Sequence, residues 1–403
     1  MLINNKSHLS YCTNIHPGNT WNAIFTNLEQ FIIPIKQKLA PQKRFGIGLY
    51  LPQGAAQELS AGDFLLLFQQ WLKKNNLYVF TLNGFPIGGF HSTSIKEQVY
   101  APDWTSPLRT AYTLQLAKIL AFLLPEEVEG GISTCPISYK KWIKKGMKED
   151  VVRKAVENLM TVVQELVVLH TETGKLVHLD IEPEPGCYPE NTEEFIAFYN
   201  DILLVQGATI LEELMNITSE AARGYIKKFI RLCYDVCHFS VQYESPESSL
   251  ARFIQSGIKI GKIQISSGLK LTEHFFHNKE QSLNTDLSFL QGSPYLHQVV
   301  EQRGTGDVYF YNDLPNALSG FTDRKAKEWR IHCHVPIFLK KYRELDTTRK
   351  DIIKTINMTK QYGLTKHLEI ETYTWRILHT ERQADLIRSI QNEYAWLLKQ
   401  FSI

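Results

Sequence analysis

The sequence predicts an α/β protein whose strands and helices close into a (β/α)8 barrel. Strand-like and helix-like segments alternate along the chain, and the strands are short apolar runs, which is typical of a parallel sheet covered by helices. Eight such units favour a closed barrel over an open sheet. An open doubly wound sheet is the alternative, but the turn after the first strand, His16-Pro17-Gly18-Asn19, lacks the glycine-rich phosphate motif of such sheets.

The individual elements follow from residue spacing. Strands are predicted from apolar and β-branched runs at residues 9–15, 45–51, 77–82, 130–134, 176–181, 231–236, 259–266 and 366–372. Helices are predicted from apolar stripes at residues 20–39, 60–75, 108–124, 151–171, 191–204, 210–230, 246–256, 347–362 and 381–401. Ser60 is expected to cap the second helix.

Two segments interrupt this alternation. Residues 84–107, after strand three, form a long loop rich in aromatic residues, as lids and binding loops often are. A long insertion separates strands seven and eight, with strand-like pieces at residues 308–312 and 329–335. Because no repeat or linker is visible, we expect residues 1–403 to form a single domain.

Composition narrows the class of protein. The chain has 403 residues, 43% of them hydrophobic and 21% charged, with a formal net charge of +2, which gives no general attraction for nucleic acid or membranes. No apolar run reaches membrane-spanning length, and the N-terminus lacks the apolar core of a signal peptide. The six cysteines show no disulfide spacing, so reduced thiols and a cytoplasmic location are expected.

The fifth strand carries an unusual row of polar residues. Side chains alternate along a strand, so His178, Asp180, Glu182 and Glu184 share one face. Burying four titratable groups is costly unless a cation neutralises them. The alternative is an exposed edge strand with solvated acids, and the stretch alone does not decide between the two.

Polar residues also end other strands. In a barrel the functional groups lie at the C-terminal ends of the strands. Read in chain order, these ends and the insertion contribute Asn14, His16, Asn83, Glu182, Glu184, Asp235, His238, Gln264, Ser266, His332, His334, Glu369 and Glu371. The N-terminal strand ends show no such enrichment, and this asymmetry predicts a site at the C-terminal end.

Carboxylates with imidazoles and few thiolates suit a divalent metal ion, namely Mg, Mn or Zn. The metal-ligand candidates are Glu182, Asp235, His238, Gln264 and Glu371. The candidates for proton transfer are Glu184, His334, Glu369 and His16. The candidates for substrate contact are Asn14, Asn83, Phe85, Trp104 and His332. The competing interpretations are surface salt bridges for the acids, a structural amide for Gln264 and a buried core pair for His332 and His334.

These residues resemble the xylose isomerase-like barrel superfamily, which contains sugar isomerases and epimerases and the endonuclease IV-type phosphodiesterases. The resemblance implies ligands at Glu182, Asp235, Gln264 and Glu371. Asp235-Val236-Cys237-His238 resembles the Asp-Thr-Cys-His of the endonuclease branch, and Ile370-Glu371-Thr372 resembles its Leu-Glu-Thr. Gln264 stands where many members have histidine, which implies a weakened or altered second metal site.

The sequence is also similar to the metabolite traffic protein EboE family. The similar blocks are Tyr11-Cys12-Thr13-Asn14-Ile15-His16-Pro17-Gly18, Asn83-Gly84-Phe85-Pro86, Val99-Tyr100-Ala101-Pro102-Asp103-Trp104, Leu179-Asp180-Ile181-Glu182-Pro183-Glu184-Pro185 and Glu371-Thr372-Tyr373-Thr374-Trp375. This resemblance implies a part in moving a secondary-metabolite precursor across the inner membrane, with a UbiA-like prenyltransferase and other cluster proteins as partners.

The expected function is therefore a metal-dependent barrel enzyme that isomerises or epimerises a sugar-like or polyol substrate. A protein that binds and hands over a metabolite is the second hypothesis, and a phosphoester hydrolase of the endonuclease IV type is the third. The near-neutral charge and the lack of a basic tract interleaved with aromatic residues argue against nucleic acid as a partner.

Overall fold

Eight parallel strands form the centre of the molecule. The computed structural model describes residues 1–3, 6–91, 95–279, 287–319, 326–378 and 383–402, and side chains 277–279 are left out of this description. The strands are β1 (Ser7–Tyr11), β2 (Phe45–Tyr50), β3 (Leu77–Asn83), β4 (Gly130–Thr134), β5 (Val177–Ile181), β6 (Ile230–Asp235), β7 (Ile260–Ile265) and β8 (His367–Ile370).

The strand pairing closes the barrel. From β2 to β8 each strand pairs in parallel with the next one along the chain. β8 pairs with β1, with His367 opposite His8, and a parallel bridge between Cys12 and Gly48 joins the end of β1 to β2. The predicted (β/α)8 barrel is therefore confirmed. A short strand, Leu2–Ile3, lies antiparallel to β1.

Helices surround the barrel. Those between barrel strands or after β8 are Trp21–Asn27 with its continuations Leu28–Ile32 and Ile33–Leu39, Gln53–Leu59, Phe64–Lys74, Pro107–Leu123, Lys148–Thr173, Thr192–Met215, Ser219–Phe229, Val236–Val241, Pro246–Gln255, Arg349–Tyr362, Trp375–Leu378 and Gln383–Ser402. Ser106 caps the helix that begins at Pro107, and Gly174, with φ of 69°, ends Lys148–Thr173. Residues 381–382 of the predicted last helix lie outside the described part of the chain.

Several strands and helices begin or end at residues other than the predicted ones. Strand one ends at Tyr11, and Thr13–Ile15 forms a helical turn instead of continuing the strand. Ser60 is the C-cap of the helix Gln53–Leu59 and not the N-cap of the next helix, which begins only at Phe64. The predicted helix 210–230 is two helices, since Asn216 adopts φ of 52° and Thr218 caps a new start.

The helix Thr192–Met215 bears on the expectation of no membrane span. It is the one helix in the described residues that is long and apolar enough to cross a membrane by length and composition. In this structure 39% of its most apolar window is buried inside the protein, with Phe195 and Leu203 fully covered. Core helices of soluble proteins can have the same length and apolar composition, so this helix is weak evidence for a membrane span.

The insertion folds into a second sheet. It lies between β7 and the helix Arg349–Tyr362, so it emerges at the C-terminal end of the barrel. The described residues of the insertion contribute six antiparallel strands, where the sequence predicted two: Leu269–Thr272, Val299–Arg303, Val308–Tyr311, Ala326–Ile331, Lys341–Tyr342 and Leu345–Thr347. Glu273–Lys279 and Leu314–Ser319 are its described α-helices. The sheet has its own apolar core around Val299 and Trp329.

Candidate metal centre at the C-terminal end of the barrel

A buried cavity of about 40 Å³ lies at the C-terminal end of the barrel. Its walls come from the ends of β5 and β8, the start of the helix after β6, the loop after β3 and the insertion. A space of this size accommodates an ion with a few small ligands or waters. The polar side chains that the sequence placed at strand ends converge here.

Three carboxylates meet at one point. Glu182 follows β5, Asp235 ends β6 and Glu371 follows β8, and one oxygen from each lies within 4.8 Å of the others. All three are at most 6% exposed. Burial raises the pKa of both Glu182 and Glu371 well above the usual range, and repulsion from the neighbouring carboxylates raises it further. Such a set is stable in its ionised form only with a compensating cation.

Three imidazoles lie beside the carboxylates. The Nε2 atoms of His238 and His332 are 3.1 Å apart, and those of His332 and His334 are 3.2 Å apart. Asp235 Oδ1 is 3.9 Å from the Nε2 atoms of both His238 and His334. Burial lowers the pKa of His332 well below its usual value and that of His334 to about 4, so both rings are neutral near pH 7.

The hydrogen bonds at Nδ1 of His238 and His332 determine which ring nitrogen carries the proton. His238 donates from Nδ1 to the carbonyl of Pro183 at 2.9 Å, and a carbonyl can only accept. His332 Nδ1 faces Gln298 Oε1 at 2.8 Å.

The amide of Gln298 is itself oriented, because its Nε2 donates to the carbonyl of Pro185 at 3.1 Å. The rings of His238 and His332 therefore both carry a proton on Nδ1, and their Nε2 atoms face each other. Two lone pairs at 3.1 Å repel unless a cation or a further proton lies between them.

Glu184 stands at the edge of this cluster. Its Oε1 accepts a 2.6 Å hydrogen bond from the Tyr100 hydroxyl and lies 3.6 Å from His332 Nδ1. Its Oε2 is buried without a partner in the described part of the chain. Burial raises the pKa of Glu184. The group can therefore exchange a proton with a molecule bound in the cavity.

Buried polar atoms that lack a hydrogen-bond partner indicate whether a metal ion fits this site. Asp235 Oδ2, Glu184 Oε2, His334 Nδ1 and Asn14 Oδ1 are buried without a hydrogen-bond partner among the described residues. Each such atom costs about 1–3 kcal/mol if nothing satisfies it. Carboxylates and neutral imidazoles are the ligands that borderline divalent ions prefer. The residues present therefore fit a divalent cation with an additional polar ligand.

The loop after β3 and the insertion cover the cavity together. Phe85 and Phe90 line it from the loop. Lys96 in the same loop contacts Asp313 of the insertion at 2.7 Å and donates to the carbonyl of Tyr295 at 2.9 Å. These contacts hold an aromatic roof over the polar cluster. Residues 92–94 of the predicted loop lie outside the described ranges.

Most of the predicted site residues are brought together. The cavity wall or the cluster beside it contains Asn14, Phe85, Glu182, Glu184, Asp235, His238, His332, His334 and Glu371. Asn14 donates to Glu371 Oε1 at 2.9 Å, so it orients that carboxylate. His332 and His334 follow the strand Ala326–Ile331, so they lie just beyond it and not within a strand as predicted.

Gln264, Asn83 and Glu369 are placed inside the barrel instead. Gln264 Oε1 accepts from Cys233 Sγ at 3.2 Å, and its Nε2 lies 3.5 Å from Asn83 Oδ1. Glu369 forms a buried ion pair with Lys262 at 2.8 Å. Glu369 Oε2 and both amide groups have protein partners away from the cavity wall, because these strand positions face the packed interior, whereas Glu369 Oε1 has no hydrogen-bond partner among the described residues.

Two other predicted site residues point away from the cluster. His16 accepts or donates a hydrogen bond with the Tyr11 hydroxyl at 2.9 Å, and its ring stacks on Phe31 at 4.1 Å. Trp104 is fully buried, and its Nε1 donates to the carbonyl of Cys135 at 3.3 Å. The turn after β1 directs His16 outward among the helices, which the residue spacing alone could not show.

The structure also adds residues that the sequence argument missed. Gln298 orients His332, and the Tyr373 hydroxyl lies 3.5 Å from His332 Nε2. Nothing in the sequence marks Gln298, because its position depends on the fold of the insertion. The sequence did carry a signal for Lys262, since it is the one charged residue between Ile260 and Ile265.

The expectation that the N-terminal strand ends carry no polar cluster is wrong. His178, His367 and Arg231 are all at most 7% exposed, and each lies in the first two residues of its strand. The signal was present in the sequence as histidines early in β5 and β8.

Comparison with known proteins finds solved structures that match this chain at low sequence identity. No protein-family model matches the chain, and no curated protein matches it either. A solved structure of a D-tagatose 3-epimerase-like protein is 11% identical over 98% of this chain and 100% of its own, with a TM-score of 0.45. IolI protein with a bound zinc atom is 11% identical over 98% and 100%, with a TM-score of 0.48. A probable 3-DHS dehydratase, AsbF, from Bacillus anthracis is 11% identical over 96% and 98%, with a TM-score of 0.45.

Proposed function

We propose that this chain is a divalent-metal-dependent enzyme that moves a proton on a sugar-like or polyol substrate, by isomerisation or epimerisation. The observation that carries the proposal is the pair of Nε2 lone pairs on His238 and His332, 3.1 Å apart beside buried carboxylates. Glu182, Asp235 and Glu371 would hold the ion together with His238, His332 and His334. A bound divalent ion polarises a carbonyl or hydroxyl and stabilises the negative charge that develops on its oxygen.

The protein groups would divide the remaining work. Glu184 Oε2 has no partner among the described residues and borders the cavity, so it is the proposed proton acceptor and donor. Tyr100 holds the other oxygen of Glu184 and so orients the carboxylate. Phe85, Phe90 and Tyr373 would exclude water from the bound substrate. The Phe85 and Phe90 side chains would have to move outward to admit a sugar-sized molecule, because the cavity of about 40 Å³ holds only an ion with a few small ligands.

The insertion takes part in this chemistry. It supplies His332 and His334 to the cluster and Gln298 to orient one of them. We therefore propose that residues 1–403 act as a single functional unit and that the insertion is not an independent module. The ions we expect are Mg, Mn or Zn, and the nitrogen-rich half of the cluster favours Zn.

The test is exchange of carbon-bound hydrogen. Metal-loaded protein is incubated in heavy water with candidate sugars, polyols and sugar phosphates, and deuterium incorporation is followed by NMR. Glu184→Gln should abolish incorporation while keeping the metal. The matched control is Glu193→Gln, at a carboxylate whose side chain is 77% exposed, and this variant should incorporate deuterium as the parent protein does. Incorporation that survives Glu184→Gln would contradict the assigned role.

A handover role is the second candidate function, and the resemblance to the EboE family supports it. In that role the same cavity would hold a secondary-metabolite precursor and pass it to partner proteins of the same cluster. Saturable binding of such a precursor with no deuterium incorporation on any substrate would favour handover over catalysis. A phosphoester hydrolase is less well supported, because Lys96, the lysine in the described cavity wall, is already paired with Asp313.

A further inference from the structure

A second polar cluster lies at the opposite end of the barrel. Glu129 immediately precedes β4, His178 is the second residue of β5 and His367 begins β8, so all three belong to N-terminal strand ends. One ligand atom from each lies within 4.8 Å of the others. Both histidines are at most 1% exposed, and Glu129 is partly buried. The proposed catalytic chemistry uses none of these residues.

His178 is oriented as metal-bound histidines commonly are. Its Nδ1 donates to Asp180 Oδ1 at 2.6 Å, which leaves Nε2 as the acceptor atom. Nε2 is buried and has no hydrogen-bond partner in the described residues. A carboxylate that holds one imidazole nitrogen while the other faces a polar cluster is the usual arrangement behind a zinc-bound histidine.

His367 has more unsatisfied hydrogen-bonding atoms than His178. Both of its ring nitrogens are buried without a hydrogen-bond partner in the part of the chain that the structure describes. Its ring stacks on that of His178, with 5.4 Å between the centroids and 25° between the planes. Together with Asp180 Oδ2, which is also unpartnered, four buried polar atoms gather in one place. An apolar core would not retain such a set without something that satisfies it.

Two glycines make room for this cluster. A Cβ on Gly131 would lie 2.7 Å from Asp180 Oδ2, 2.8 Å from His178 Cε1 and 3.1 Å from His367 Nδ1. A Cβ on Gly261 would lie 1.8 Å from Asp180 Oδ1. Two barrel strands therefore omit a side chain where the imidazoles and the aspartate meet.

The charges around the cluster select the class of ion. Glu129 Oε2 accepts from Arg231 at 3.2 Å, so the guanidinium already neutralises part of the carboxylate. A hard cation such as Mg²⁺, held mainly by negative charge, is disfavoured in this setting. Two imidazoles and one carboxylate oxygen suit Zn²⁺ or a similar borderline ion.

We propose that Glu129, His178 and His367 form a second metal site, for a zinc-class ion, that ties β4, β5 and β8 together at the N-terminal end of the barrel. Asp180 is a positioning residue that holds His178 in the tautomer required for binding. The site lies at the end of the barrel opposite the cavity, away from the proposed chemistry, so its role is structural.

Zinc stoichiometry tests the proposal without any assay of activity. The cavity site is first disabled with Asp235→Asn and Glu371→Gln, and the protein is loaded with zinc chloride, desalted and analysed by mass spectrometry of the metal. One zinc ion per chain should remain. Adding His367→Gln should remove it. Adding His8→Gln instead is the control and should leave the zinc in place. His8 lies opposite His367 on β1, but its Nδ1 is hydrogen-bonded to the Tyr78 hydroxyl, so His8 is not a proposed ligand.

A disabled protein that retains no zinc, or a His367→Gln variant that keeps it, would overturn the proposal. The unmodified protein gives a result that is independent of how well these variants fold. Anomalous diffraction at the zinc edge should show a peak between His178 and His367. A peak at the cavity alone would refute the second site and leave the proposed function intact. A peak near His178 and His367 alone would support the second site and refute zinc as the ion of the cavity.

Discussion

Tyr100 donates a 2.6 Å hydrogen bond to Glu184, and this contact joins the loop after β3 to the polypeptide that follows β5. Gln298 of the insertion donates in turn to the Tyr100 hydroxyl at 2.9 Å. The group proposed to move the proton is therefore held by two segments that both lie outside the barrel strands.

Removing this hydroxyl should affect proton transfer and leave the metal in place. Tyr100→Phe is expected to slow deuterium incorporation by roughly tenfold, because a carboxylate without its donor loses its orientation. It should also lower the free energy of unfolding by about 2 kcal/mol. Tyr362→Phe, at an exposed tyrosine, is the control. Loss of metal from Tyr100→Phe would contradict the assignment, since this residue is not a ligand.

Asp235 should be essential for metal binding at the cavity. Asp235→Asn is expected to weaken binding on the order of 10- to 100-fold or more, since even groups that only support a ligand have effects of that size. Isothermal titration with zinc or manganese measures this. Asp201→Asn, at an exposed aspartate, should leave affinity unchanged. Undiminished affinity in Asp235→Asn would remove this residue from the ligand set.

The Lys262–Glu369 ion pair should contribute to stability only as a pair. Both side chains are fully buried, so Lys262→Met leaves an uncompensated carboxylate and is expected to cost about 3–5 kcal/mol in urea unfolding. The double variant with Glu369→Gln should recover most of that loss.

The matched control is the exposed pair Lys354–Glu247, which is 3.3 Å apart. Lys354→Met should cost less than about 1 kcal/mol. A double variant no more stable than Lys262→Met would show that the lysine contributes through its packing and not its charge.

Glu393 should make stability fall with rising pH. It is fully buried in the last helix and accepts hydrogen bonds from Thr372 at 2.7 Å and from the Ile337 amide at 3.2 Å. Burial raises its pKa from 4.5 to about 7, so between these values the folded state binds the proton more tightly than the unfolded state does. Stability from this group is complete below pH 4.5 and is lost as the pH rises through 7.

Glutamine at position 393 keeps an acceptor and does not titrate. Glu393→Gln should therefore match the parent protein near pH 4 and exceed it by up to about 3 kcal/mol at pH 8 in thermal unfolding. Glu220→Gln, at an exposed carboxylate in the first turn of its helix, should change stability by the same small amount at both pH values. An equal gain at both pH values would show that the buried charge is not the cause.

The sequence by itself determined the barrel and the end at which its acidic residues gather. Parallel strands in a barrel bring their C-terminal ends together, so Glu182, Asp235 and Glu371 could be grouped from strand order alone. Strand order alone could not separate Glu371, just after β8, from Glu369, which lies two residues earlier within that strand. That choice depends on the stagger of the strands, which places Glu369 against Lys262 and Glu371 at the cavity.

Only the tertiary structure decided which residues from distant segments complete each cluster. Gln298 and Tyr100 reach the site through the folded insertion and a long loop, and neither follows a local periodicity that a sequence reveals. His178 and His367 meet inside the barrel because β5 and β8 face each other across it and Gly131 leaves the space between them. Local spacing encodes strands and their polarity, whereas contacts across the barrel depend on the stagger and packing of the whole chain.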